Sequence, residues 1–143
     1  MKKKQFTLIL SSLLIAGFAF ACTPKTPEDR IIKITDTIYN KVKDAKDCDK
    51  LAADLESYCK GIDHKQFAAD FKKLMMEGMA ASLKNNNEEK STPAMEKIEA
   101  SMNKFDELEE TACAKHEKVG AAIDLCLEGM VPDFTDEEIK GML

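Results

Sequence analysis

From residue 26 onward, apolar residues recur at intervals of three and four, no segment alternates with period two, and Lys, Glu, Ala, Leu and Met dominate. Both the period and the residue types are those of α-helices. A first helix is expected to open at Thr26, an N-cap residue followed by Pro27 and by Glu28 and Asp29, whose charges suit a helix N-terminus. Its apolar stripe is Ile31, Ile34, Ile38, Val42 and Ala45. A second stripe, Cys48, Leu51, Leu55, Cys59 and Ile62, either follows a break at Asp47-Cys48-Asp49 or continues the first as one long, bent helix over 27–60. Asp63 with Gln66 forms a capping-box pair that starts a third helix, with Phe67, Phe71, Leu74 or Met75, Gly78 and Leu83 as its buried face. Gly78 weakens that helix unless a neighbour approaches closely there.

Residues 85–91 are a polar loop, and Thr92-Pro93 repeats the cap-then-proline signal. The seam Ile98, Met102, Phe105, Ala112, His116, Val119, Ile123, Cys126 and Met130 then predicts one long last helix, with a kink at Gly120. Gly129 is its expected C-terminal cap, and Pro132 prevents continuation. Thr135 with Glu138 opens a short terminal helix. Three or four helices with short connections predict an all-α fold, a small antiparallel bundle.

The leader changes the picture, because it assigns an address. Three lysines, an apolar run from Phe6 to Phe20 and the small residues Ala19 and Ala21 form an export signal over 1–21. The stretch Phe18-Ala19-Phe20-Ala21-Cys22 resembles the lipobox of bacterial lipoproteins. That resemblance implies diacylglycerol on the Cys22 thiol, a further acyl chain such as palmitate on its amine, and residence in the cell envelope at the outer membrane or on the periplasmic face. Two or three chains anchor stably where one does not. Thr23 to Pro27 has two prolines and no large apolar residue. Residues 22–27 therefore read as a lipid-anchored tether and 28–143 as the helical bundle domain. The other route is cleavage after Ala21 and release of a soluble periplasmic or secreted protein.

Loss of the leader's three lysines leaves 18 basic against 26 acidic residues and moves the formal charge from −5 to about −8. Arg30 is the only arginine, the lysines are scattered and Trp is absent, so there is neither a phosphate-neutralising patch nor a base-stacking platform. Nucleic acid is not an expected partner.

Beyond Cys22 the chain has four cysteines, Cys48, Cys59, Cys113 and Cys126, an even number that predicts two disulfides in an oxidising compartment. Bridging within a segment is excluded, since 11 helical residues rise about 16 Å and a disulfide needs Cα atoms within about 7 Å. Parallel segments would join Cys48 to Cys113 and Cys59 to Cys126. A chain folding back near Gly120 would join Cys59 to Cys113 and Cys48 to Cys126. The second arrangement resembles the double-stapled helical hairpin of twin Cys-x9-Cys proteins, although the spacings here are ten and twelve intervening residues.

Glu109, Cys113 and His116 stand at offsets of four and three, so on a continuous helix they share a face able to ligate zinc or another soft metal. The competing role of Cys113 is a disulfide, with Glu109 solvated and His116 at the edge of the core. Cys-x-x-Cys-His is missing, which excludes ordinary covalent haem attachment. Noncovalent haem would need His116 with Met75, Met76 or Met79, which read more simply as core residues. Only His64 and His116 supply imidazoles, and no Ser, His and Asp set assembles from the pattern. The reading that follows has no cofactor and no catalytic constellation: a helical interaction module, anchored to the membrane through Cys22, that binds a protein partner as modulator, inhibitor, chaperone or adaptor. The alternative is a periplasmic metal- or haem-binding carrier that uses His116.

Overall fold

The computed structural model describes residues 24–84 and 91–142, and Cys22 with the leader lies outside them. Among the described residues there are six α-helices, one 3-10 helix and no strand: α1 Pro27–Val42, α2 Cys48–Lys60, α3 His64–Lys84, α4 Pro93–Met102, the 3-10 helix Asn103–Glu110, α5 Glu117–Cys126 and α6 Asp136–Met142. The molecule is an all-α, disulfide-stapled small bundle. The caps lie where the sequence puts them. Thr26 Oγ1 accepts the Asp29 N–H at 3.2 Å, and Asp63 Oδ1 accepts that of Gln66 at 3.0 Å. The capping box at α6 closes in both directions, with Thr135 N donating to Glu138 Oε2 at 2.8 Å and Glu138 N to Thr135 Oγ1 at 3.3 Å. The chain between α1 and α2 does break: Asp47 is extended and its carboxylate caps α2 through the Lys50 N–H at 3.0 Å.

The helices form two tiers around two apolar clusters. The upper cluster gathers Ile38 and Val42 of α1, Leu51, Leu55 and Cys59 of α2, Leu108 of the 3-10 helix and Val119 and Cys126 of α5. The lower one gathers Ile31 of α1, Phe67 and Leu74 of α3 and Ile98 of α4. Ile34, Ile62 and Leu127 pack against both clusters and join them. α1 runs through both tiers. Alongside it, α4 and the 3-10 helix ascend in parallel, since Thr35 meets Ser101, Asp36 meets Lys104 and Tyr39 meets Glu107. α3 descends: Arg30 pairs with Asp70, while Ile34, one turn up α1, shares a groove with Phe67, one turn back in α3.

Cys48 is bonded to Cys113 and Cys59 to Cys126, with Cα separations of 5.3 and 4.5 Å, so α2 and α5 lie parallel. This pairing explains why the long last helix of the sequence reading does not form. In a helix, 11 residues bring Cys59 within about 20° of the face that carries Cys48, whereas 13 residues would put Cys126 about 220° round from Cys113. A continuous helix therefore cannot present both of its cysteines to α2. The chain instead leaves the 3-10 helix at Thr111, which is extended, turns through Cys113 to His116, and starts α5 afresh.

The break lies at 111–116 rather than at Gly120, which is inside α5 with open space at its missing Cβ. One further expectation, burial of Leu83, is corrected, and the condition set on Gly78 is decided. Leu83, near the end of α3, is 51% exposed. At Gly78 a Cβ would meet Met95 Cγ at 3.9 Å, ordinary contact, so no close helix approach requires the glycine. Gly129 does require its lack of a side chain. Its φ is +90°, and a Cβ would come within 3.1 Å of Ala68 Cβ.

The bridges close loops with sequence separations of 65 and 67, each worth about 4 kcal/mol alone through restriction of the unfolded chain. Once one is closed the other adds about 3 kcal/mol, because the remaining loop is shorter. Removal of the Cys59–Cys126 bridge by double substitution to Ala is expected to lower unfolding free energy by about 3 kcal/mol, and reduction of both bridges by about 7 kcal/mol. Guanidinium titrations with and without reductant measure both losses.

Candidate functional site

Among the described residues, a groove of about 600 Å³ lies where α1, the end of α2 and the start of α3 meet. Its local origin is the stop at Gly61. α2 ends there, the turn through Ile62 and Asp63 starts α3, and the interrupted column leaves α1 uncovered along Ile34. Tyr58, Ile62 and Phe67 supply further apolar wall, and Pro24, from the segment that precedes α1, completes it. Of the expected tether, 22–27, the described residues are Pro24 to Pro27: Thr26 and Pro27 are the cap and first residue of α1, and Pro24 and Lys25 lie on the domain, where Arg30 Nη1 donates to the Lys25 carbonyl at 3.4 Å.

Arg30 and Asp70 form the polar part of the groove. Arg30 Nε and Nη2 donate to the two Asp70 oxygens at 2.5 and 2.6 Å, and Gln66 Nε2 donates to Oδ1 at 2.8 Å. The Asp70 side chain is only 4% exposed and that of Arg30 33%. The Arg30 hydrogen bonds, helped by Gln66 and by the charges of Arg30 and Lys73, outweigh burial and hold the Asp70 carboxyl below its ordinary 3.8. The sequence reading missed this pair. Asp70 stands three residues after Phe67 and four before Leu74, on the buried stripe, and Arg30 is the only arginine; those positions were the available signal.

A second polar inclusion joins α1 to α4. Ser101 Oγ donates to Asp36 Oδ1 at 2.8 Å, so Thr35, with its single hydroxyl proton, can donate to Ser101 Oγ at 2.7 Å. Lys104 Nζ caps the chain on Asp36 at 2.8 Å. Burial acts on Asp36 in the opposite sense, but the Lys104 and Ser101 hydrogen bonds together carry its carboxyl below the ordinary value. α6 is tied to α3 by Lys72, whose ammonium reaches Glu138 at 2.7 Å. That ion pair, with the Thr135 cap, brings the Glu138 carboxyl down to about 2.

Comparison with protein-family models, curated proteins and solved structures finds no match to this chain. The site therefore rests on its own geometry.

Of the residues singled out in the sequence, Cys22 lies outside the described residues. Glu109 is exposed in the 3-10 helix, Cys113 is buried in its disulfide and His116 sits at the N-cap position of α5, so the three share no helical face. Among the described residues no three of His, Cys, Asp and Glu converge on a point that would hold a metal ion. The turn that follows α5 meets the first turns of α3 at Gly129, beside Ala68, at the end of α5 opposite His116. Among the described residues, the buried His116 Nδ1 atom has no hydrogen-bond partner. His64 places Nδ1 3.2 Å from the Glu128 carbonyl and Nε2 3.1 Å from that of Cys59, bridging the chain on either side of the Cys59–Cys126 bond.

The buried charges of the groove are spent on each other. A ligand there meets apolar surface, with Lys33 and Asp63 also on the lining. The arrangement is chemically suited to binding.

Arg30→Ala strands a buried carboxylate, a cost of 3–5 kcal/mol for a fully buried pair and about 2 kcal/mol here, where the guanidinium is a third exposed. The double variant Arg30→Met/Asp70→Leu is expected to recover most of that loss in a thermal or denaturant melt. Because Asp70, Asp36 and Glu138 are all lowered in the folded state, the unfolded chain binds more protons in acid. Their contribution is complete above the ordinary carboxylate values and is lost as pH falls toward about 2, where the Glu138 carboxyl titrates. Arg30→Ala should flatten this acid limb. At His116, replacement by Leu removes an unpaired nitrogen and is expected to leave stability unchanged or raise it by about 1 kcal/mol in the same melts. A loss of bound metal or of several kcal/mol would instead assign His116 a ligand.

Proposed function

We propose that this protein is a lipid-anchored envelope protein, held by acyl chains on Cys22 at the outer membrane or the periplasmic face, and that its stapled bundle works by binding a protein partner rather than by catalysis. One observation carries the reading. The four cysteines beyond the leader pair with one another, which suits an oxidising compartment and leaves Cys22, in its lipobox-like setting, as the odd one. The rest of the molecule agrees with a binding role. The largest charges near the groove neutralise each other, the tiers are braced by cross-links and ion pairs, and the acidic surface offers nothing to phosphate backbones. No described helix is long and apolar enough to cross a membrane, so membrane attachment in this reading rests on the lipid. Modulator, inhibitor, chaperone and adaptor are the roles that such a module fits.

The test is the intact mass of the protein exported by its own host. The expected product begins at Cys22, is heavier than the bare chain by two or three acyl groups with glycerol, and gains four alkylated thiols only after reduction. A chain that begins at Cys22 without added mass would establish soluble release after Ala21 and end the anchored reading. For the partner, cross-linking in intact envelopes is expected to yield a defined heteromeric product that the untethered Cys22→Ala form does not give. Repeated recovery of the same species from both forms would refute a membrane-dependent partner.

A further inference from the structure

We propose that the groove between α1, α2 and α3 is the seat of one acyl chain of the protein's own lipid, the amide-linked chain on Cys22; this rests on the anchored reading above. Continuity of the chain is the first argument. Pro24 lines the groove and the Lys25 carbonyl is held by Arg30 on its wall, so the polypeptide that leads to Cys22 leaves from the groove itself. Cys22 is two residues before Pro24, and two extended residues span at most about 7 Å. An acyl chain on Cys22 therefore starts within reach of this groove, whereas the concavities between α2 and α5 and beside the 3-10 helix have no residue of the tether on their lining. The effective concentration of a ligand tethered this closely is set by the tether, not by its abundance.

Charge is the second argument, and it decides between lipid species. Arg30 and Lys33 on the lining are matched by Asp63 and Asp70, and Arg30 and Asp70 are bonded to each other. A free fatty acid or an anionic headgroup would find no uncommitted positive excess. An amide-linked acyl chain is neutral along its length and asks only for apolar wall, which Ile34, Tyr58, Ile62 and Phe67 provide. The volume of about 600 Å³ falls within the range of ordinary ligand pockets. Two chains left in the bilayer suffice for stable anchoring, so the third can leave it. Its move is an exchange of one apolar surrounding for another, with little hydrophobic cost. The consequence is geometric: a seated chain draws the start of α1 to the membrane surface and fixes which side of the bundle faces it.

The experiment uses the full-length protein in its host, grown with a palmitate analogue that bears a terminal diazirine. Intact mass first establishes whether Cys22 carries the analogue. Irradiated membranes are then digested and the cross-linked peptides identified. The expected result is cross-linking concentrated on peptides that contain Ile34, Tyr58 and Ile62, reduced at least fivefold by Tyr58→Glu in a protein whose melting temperature shows that it is folded. Should that variant fail to fold, Ile62→Gln, at a half-buried position in the turn, serves the same purpose. Analogue on Cys22 with cross-links to bilayer lipid or to a partner protein alone would overturn the seat and leave the anchor standing. Absence of the analogue from Cys22 would overturn both.

Discussion

Everything else in this fold is arranged around two cross-links that must lie in register. Cys48 and Cys59 are fixed on one face of a single helix, three turns apart, and each must meet a cysteine from a segment two residues longer. A helix cannot absorb two residues without turning its second cysteine away. The mismatch is taken up in the turn at 111–116, and that turn decides the topology. It stops the ascending column of α4 and the 3-10 helix, sends α5 down beside α2, and closes the upper core over Leu55, Val119 and the four half-cystines. The parallel packing of α2 and α5 needs a long return path, and α3, α4 and the 3-10 helix are that path.

The lower tier has no such staple and is held differently. Among the described residues its apolar cluster is small, four buried side chains, and is extended by adaptable ones, Met95, Met102 and Met130. Polar contacts fix its register: the Arg30–Asp70 fork sets α3 on α1, and the Thr35–Ser101–Asp36–Lys104 chain sets α4 on α1. Buried polar groups of this kind add little net stability but cost heavily when one partner is lost, so they specify one packing among several that methionines would permit. The upper tier is constrained covalently and the lower one by polar matching. Local opening is therefore expected in α3 and α4 before the region around α2 and α5.

How much of this was readable in the sequence follows from which signals are local. The caps at Thr26, Asp63, Thr92 and Thr135 and the stripes of α1 and α2 depend on residues within a few positions of one another, and the structure has them as read, while the cap expected at Gly129 falls at Leu127, two residues before the glycine with positive φ. The fold class and the even pairing of four cysteines were equally plain. The last helix was misread because the apolar seam through Phe105, Val119 and Ile123 keeps its period across a break imposed from another segment. The spacing of 13 against 11 held that information, but only in combination with the pairing. Thr35, Asp70 and Ser101 went unnoticed for a related reason: they are polar residues at stripe positions, and their partners lie 40 to 66 residues away. The groove was beyond reach, since it arises where α2 stops short and three segments meet.

Charge and anchorage are linked in the proposed reading. A domain that carries about eight net negative charges once its leader is removed gains nothing from the anionic surface of a bilayer, and its scattered lysines make no patch to offset that. Electrostatics would hold such a domain away from the membrane, so residence there depends on acyl chains alone, and orientation depends on whatever fixes the first residues after Cys22. In this structure those first described residues, Pro24 and Lys25, are fixed to α1 by packing and by Arg30. The same arginine holds Asp70 and thereby α3. One side chain thus couples the exit of the tether to the packing of the lower tier, and a pull on the tether is transmitted first to the tier that no disulfide protects.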